Sequence, residues 1–217
     1  LKTLHEAVGN TVTIVDDLLG DLSSYAQVWD VRFFNAAALD SIDQTAYSNY
    51  LVNGGGLFLM GENSNFMERN NSVLSLISSL GGGDLGYNDC SDGTQMVHAP
   101  FTGPNDVSEV NYAASGCFNN KGAGQWITSR ADGSVGSGVA FTAGSLANAM
   151  AGALTTILDV NFMMNQFDLP NSQELTKNLI GFIGDQVDPV NDIPAPASIL
   201  LFAAGLAGLR MRMRYSN

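Results

Sequence analysis

Four large apolar residues, Leu57-Phe58-Leu59-Met60, run without alternation directly after Gly54-Gly55-Gly56. A strand with one wet face alternates apolar and polar positions, so an unbroken apolar run calls for cover on both faces. In an α/β sheet this predicts a central parallel strand. The glycines end the element before it, because glycine takes the left-handed conformation at a helix end without steric cost. Whatever follows the carboxyl end of such a strand, here Gly61, Glu62 and Asn63, sits where open α/β sheets place their ligands or nucleophiles.

The remaining elements follow from the same reading. Leu1, Leu4 and Val8 have helical spacing, and Gly9-Asn10 stops that helix. Folds of this kind begin with a strand, so a first strand and any export signal are expected to precede Leu1. Thr11-Val12-Thr13-Ile14-Val15 is rich in β-branched residues and predicts a strand ending at Asp16-Asp17. A second strand is predicted over residues 26–33, with Val28 and Trp29 buried. Asp40 caps a helix through Val52, with Ile42, Ala46, Tyr50 and Leu51 inward. Residues 66–80 form another helix, with Val73, Leu74, Ile77 and Leu80 at core spacing, ended by Gly81-Gly82-Gly83. Strand and helix thus alternate over the first 83 residues, the order of a doubly wound parallel sheet.

From about residue 84 to 145 the character changes. Short apolar pieces at 95–97 and 125–127 alternate with turn-rich tracts, which predicts antiparallel strands or an irregular cap inserted into the α/β order. Residues 136–142 predict a further strand. The parallel pattern returns at 153–159, and residues 172–183 predict a helix with Leu175, Leu179, Ile180 and Ile183 inward. The domain is therefore expected to span 1–184. A proline-bearing linker follows at 185–196, then a tail at 197–217.

Composition adds an address. The 217 residues carry a net charge of −12, and Arg210, Arg212 and Arg214 crowd the last eight positions, leaving 6 basic against 21 acidic side chains elsewhere. Such a body repels nucleic acid and anionic lipid. Cys90 and Cys117 are the two cysteines. They lie in the Gly/Asn/Ser-rich middle, off the predicted core strands. They read as a disulfide in an exported protein, the alternative being two unpaired thiols in a cytosolic one. No CxxC motif, zinc spacing, P-loop or dinucleotide fingerprint is present.

Candidate chemistry is sparse. Glu62, Asn63, Arg69, Asp159 and Asn161 would meet at the carboxyl edge of the sheet, either as a small polar pocket or as an ion pair and hydrogen bonds that hold the turn. Ser64 beside Glu62 is a conceivable nucleophile, but a Ser next to Asn in a turn more often caps backbone. Of the two histidines, His5 falls on the predicted N-terminal helix and His98 in the irregular middle. No catalytic triad can be assembled from them, and no catalytic residue is assigned. Asp84, Asn88, Asp89 and Asp92 form an oxygen-rich loop in which Ca²⁺ is conceivable, although the spacing fails the EF-hand pattern and a solvated loop is the default. No other cofactor is expected.

Two resemblances rest on these residues. The order of strand, helix, Tyr50-Leu51-Val52-Asn53-Gly54-Gly55-Gly56, apolar strand, tight turn and helix resembles the class I glutamine amidotransferase-like fold, as in its non-catalytic surface and ThuA-like relatives. Enzymes of that family carry a cysteine in the turn after this strand. Here the turn is Gly61-Glu62-Asn63-Ser64, so the resemblance implies a flavodoxin-like, doubly wound body without its nucleophile. At the other end, Pro194-Ala195-Pro196, the uncharged apolar stretch Ala197 to Leu209 and the three arginines resemble a PEP-CTERM sorting tail. Thirteen helical residues reach about 20 Å, short of the roughly 30 Å hydrocarbon core. Ala195 stands where that signal usually has Glu. The resemblance implies transient retention in the inner membrane of a Gram-negative bacterium, processing by an exosortase, and release to the cell surface or exopolysaccharide matrix.

The expected function is thus a secreted or surface protein with a structural or adhesive role, open to assembly with like subunits into filaments. The alternative is a carbohydrate-binding or hydrolytic domain working at Glu62, with Trp126 and Tyr112 as sugar-stacking residues.

Overall fold

Helix, strand and turn signals resolve into a mixed α/β domain. The computed structural model describes residues 1–31, 37–163 and 169–187. In chain order the elements are α1 (Lys2–Ala7), β1 (Gln27–Asp30), α2 (Ser41–Val52), β2 (Gly56–Met60), α3 (Met67–Ser79), β3 (Tyr87–Val97), β4 (Glu109–Phe118), β5 (Gln125–Ser129), β6 (Gly138–Phe141), β7 (Ala153–Ile157) and α4 (Leu169–Val187). The strands form one seven-stranded sheet in the order β1-β2-β7-β6-β5-β3-β4. β1, β2 and β7 are parallel, and every other pairing is antiparallel.

β2 is buried at all five positions and has a parallel neighbour on each side, as its apolar run requires. Its side chains divide between two cores. Leu57 and Leu59, with Leu154 and Leu158, pack with Tyr47 and Leu51 of α2 and Val73 and Ile77 of α3. Phe58 and Met60, with Ile157, pack with Leu175, Leu179 and Ile183 of α4. Each such side chain contributes about 1.5–3 kcal/mol by leaving water, which anchors this strand between the two cores.

Asp40 caps α2 by accepting from the backbone N–H groups of Ile42 and Asp43. The phase of that helix differs from expectation. Tyr47, Tyr50 and Leu51 are buried at positions i, i+3 and i+4, which turns Ile42 out to solvent. α4 runs on to Val187, so residues 185–187 belong to the helix and not to a linker. Residues 188–217, with Pro194, Pro196, Arg210, Arg212, Arg214 and the expected apolar helix, lie outside the described residues. No helix among the described residues is long and apolar enough to cross a membrane.

Two further expectations are corrected. Thr11–Val15 is not a strand: it has no ladder partner, and Ile14 and Val15 are exposed. β propensity measures fit to a sheet surface and cannot form a strand where no neighbour is offered. Of the two readings of residues 84–145, antiparallel strands form and the irregular inserted cap does not: β6 pairs directly with β7, and β3 to β5 extend the same sheet. The cysteines accordingly sit on strands, Cys90 on β3 and Cys117 on β4, where they are buried and joined with Cα atoms 5.5 Å apart.

A crosslink of this span removes about 2–4 kcal/mol of freedom from the unfolded chain. The Cys90→Ala/Cys117→Ala double variant is therefore expected to melt about 4–16 °C lower in a calorimetric scan. An unchanged melting temperature would mean that the β3–β4 ladder alone already supplies the constraint.

Candidate functional site

The turn after β2 is built around glycine and one asparagine. A side chain at Gly61 would lie 2.3 Å from the Leu158 side chain and 2.9 Å from Asn70 Oδ1, so only glycine lets the turn pass this close. Asn70, on α3, then clasps the turn. Its Oδ1 accepts from Glu62 N at 2.9 Å, and its Nδ2 donates to the carbonyls of Glu62 at 2.7 Å and Asn63 at 3.1 Å. Asn63 Oδ1 accepts from Asn65 N and so caps the short 3-10 helix Ser64–Phe66.

Glu62 is buried, and both its carboxylate oxygens are engaged. Oε2 accepts from Asn63 N and Oε1 from Val160 N, each at 2.8 Å. Val160 opens the 3-10 helix Val160–Met163 that follows β7, so the carboxylate ties the end of β2 to the residues beyond β7. Asp159 lies beside it, fully buried. Its Oδ1 accepts from Asn161 N at 2.7 Å and its Oδ2 from Ala113 N at 3.0 Å, while Asn161 Nδ2 donates to the Ala113 carbonyl at 3.0 Å. Burial pushes the Asp159 carboxyl up to about 7; the N–H donors from Ala113 and Asn161 pull it down, and the charge of Glu62 pushes it up further.

These contacts fasten β4 across the carboxyl ends of the parallel strands. Ala113 is gripped at both backbone groups, and Gly116 N donates to the Leu158 carbonyl at 2.9 Å. Here the ladder with β3 slips register, and Ala114 takes a positive φ of 57°. Such a bulge bends a strand and re-aims it. The approach is close enough that a side chain at Gly116 would lie 2.6 Å from the Glu62 carbonyl and from the Tyr87 ring.

Arg69 is placed elsewhere. It is 1% exposed, and its Nε donates to the Met60 carbonyl at 3.0 Å. Its Nη2 lies 3.0 Å from Asp30 Oδ2 as an ion pair without the alignment of a hydrogen bond, and Nη1 has no hydrogen-bond partner. Tyr47 donates its hydroxyl to the same Asp30 oxygen at 2.8 Å. The edge thus carries two polar clusters, Glu62 with Asp159 and Asn161, and Arg69 with Asp30 and Tyr47. Neither Asp30 nor Tyr47 stood out in the sequence: Asp30 lay inside the strand predicted over 26–33, and Tyr47 lay on the helix after Asp40, with no local signal joining either to Arg69 on α3.

The other candidates are dispersed. His5 packs edge-on to Trp29 at 4.9 Å, and His98 Nε2 lies 2.7 Å from the hydroxyl of the buried Ser129. Burial lowers both imidazoles. Ser64 donates its backbone N–H to Asp89 Oδ1, which also accepts from the Tyr87 hydroxyl, and Asp84 Oδ1 accepts from the Ser78 hydroxyl. Asn88 stands opposite Cys117 in the ladder, and the Asp92 side chain lies outside what is described. Among the described residues no three His, Cys, Asp or Glu side chains gather as a metal site would need. Tyr112 is buried with its hydroxyl 2.9 Å from Thr128 Oγ1, which makes it a core residue, and Trp126 is half-buried against Gly136.

The fold and this edge define a mixed α/β domain whose customary ligand crevice is occupied by its own β4. Among solved structures, the mmIFT52 N-terminal domain is similar over 84% of this chain and 89% of that one, with a TM-score of 0.64 and 10% identity. The exo-β-1,4-mannosidase Op5Man5 from Opitutaceae bacterium strain TAV5 is similar over 82% of this chain but 29% of its own length, with a TM-score of 0.53 and 13% identity. A ThuA-like protein from Bacteroides uniformis is similar over 86% of this chain and 82% of that one, again with a TM-score of 0.53 and 13% identity. At such identities the likeness is one of fold alone. No protein-family model and no curated protein sequence matches the chain.

Two outcomes are expected from this geometry. Arg69→Met removes the buried cation beside Asp30 and should cost about 3–5 kcal/mol in urea denaturation. Restoring charge balance with Asp30→Asn should recover part of that loss, and a cost under about 1 kcal/mol would show that Asp30 is compensated without Arg69. The second concerns pH. The Asp159 carboxyl is raised in the folded state, so the stability it contributes is complete below the usual carboxylate range and is lost as pH rises through about 7. Asp159→Asn cannot ionise. Between pH 5 and pH 8 its denaturation midpoint should therefore gain on that of the native protein, and parallel pH profiles would contradict the assignment.

Proposed function

We propose that this protein is an exported cell-surface or extracellular-matrix component whose α/β domain serves as a structural or adhesive unit and not as an enzyme. The observation that carries this reading is the closed carboxyl edge. Where an open α/β sheet would receive a substrate, Ala113 and Gly116 of β4 are bonded to Asp159, Asn161 and Leu158, and both Glu62 oxygens face main-chain N–H groups. Glu62 has no free oxygen to act as acid, base or sugar ligand without dismantling the turn, and Tyr112 offers no exposed ring. Both points weigh against the carbohydrate-binding or hydrolytic alternative. On this reading the body is a flavodoxin-like, amidotransferase-like fold that lacks the family's nucleophile.

The address is supported by different residues. A buried disulfide suits an oxidising compartment, and an acidic body suits solubility outside the cell. The prolines at 194 and 196, the apolar stretch and the terminal arginines act as the PEP-CTERM-like sorting signal. They hold the chain at the inner membrane until an exosortase releases it to the surface or the exopolysaccharide.

The test is expression in a Gram-negative host with and without its exosortase, followed by fractionation and mass spectrometry of the carboxyl terminus. A surface or medium form lacking Arg210, Arg212 and Arg214, present only with the exosortase, is the expected result. An intact tail in the soluble cytoplasm in both hosts would overturn the sorting role.

A further inference from the structure

We propose that Thr11–Val15 is a seam through which two copies of this protein join, each segment pairing antiparallel with its counterpart. The segment combines features that seldom remain together on a surface. Its composition is that of a strand, yet it has no regular secondary structure, and no backbone N–H or carbonyl from Thr11 to Leu19 is hydrogen-bonded within the described structure. Ile14 is 72% exposed and Val15 49%. Unpaired backbone beside exposed β-branched side chains is a template for strand addition.

The occupant is a second copy because the segment is complementary to itself. With Thr13 on the twofold axis, Val12 stands opposite Ile14 and Thr11 opposite Val15, so apolar positions meet on one face and the two terminal pairs are equivalent. The charges fit as well. Asp16 falls opposite Asn10, and Asp17 opposite Gly9, so the acidic pair of each copy meets neutral residues of the other. Like charges set directly opposite one another would oppose the pairing, and this register avoids that. The seam is short, and both copies carry a net charge of −12, so the association is weak at low ionic strength and strengthens as salt screens the repulsion. This goes beyond the structural role proposed above and does not depend on the sorting tail.

Sedimentation velocity of the purified full chain tests it. The dimer fraction should rise with protein concentration and between about 20 and 200 mM NaCl. Thr13→Pro removes one amide at the centre of the seam and should weaken association at least about tenfold. No hydrogen bond within the described structure is lost, so its melting temperature should be unchanged. Thr13→Cys is the second variant. Cysteines at the twofold axis face each other and should crosslink under mild oxidation far faster than those of Ile14→Cys, which face Val12. A protein that stays monomeric under all conditions would overturn the proposal. So would a dimer that survives Thr13→Pro and crosslinks equally from both positions, since another surface would then hold it.

Discussion

A carboxylate that spends both its oxygens on main-chain N–H groups sets the shape of this domain. Glu62 leaves the end of the fully buried β2 and holds its own turn with one oxygen and the backbone beyond β7 with the other. A buried charge is costly unless every lone pair is met, and here the donors are peptide groups that no other element could satisfy as well. The turn, the register of β2 on β7 and the start of the second 3-10 helix are therefore one unit. Asp159 extends it by binding Ala113. Burial first, and the neighbouring Glu62 carboxylate to a lesser degree, make Asp159 hold its proton more tightly.

The second polar cluster does comparable work one strand over. Arg69 ties the carbonyl of Met60 to the carboxylate at the end of β1, with Tyr47 supporting that carboxylate from α2. Together the clusters consume the polar groups that a ligand-binding edge would leave free. A sheet whose carboxyl edge is knitted in this way gains rigidity at that edge.

Much of the parallel half was legible because its signals are local. The unbroken run in β2, the Asp40 cap and the apolar spacing of Leu175, Leu179, Ile180 and Ile183 each name one element and one buried face. The antiparallel half was legible only as short pieces at 95–97, 125–127 and 136–142, since part of its interior is polar. Gln95 is buried against Ser137, and Ser115, Thr128 and Ser129 are buried beside it in sequence positions that read as turn or loop. Mutual hydrogen bonding makes such residues tolerable inside a sheet, but hydrophobic periodicity cannot register them. The candidate site was half legible for a similar reason. Glu62, Asp159 and Asn161 follow strands and so could be placed at one edge, whereas the partner of Arg69 depended on how α2 and α3 are seated. Thr11–Val15 shows the reverse error, a strong local preference with no neighbour to satisfy it.

The strand order carries one more consequence. β7 lies in the middle of the sheet, between β2 and β6, yet it is the last strand in sequence among the described residues. Until residue 157 has emerged during synthesis, β1–β2 and β3 to β6 are two half-sheets, each with a raw inner margin. The disulfide closes within the second half and can lock it early, but the two halves are joined only when β7 slides between them. Long-range pairing of this kind is slow to form, and it keeps the chain open late into synthesis. If the chain is exported as proposed, that delay would leave it open for threading across a membrane.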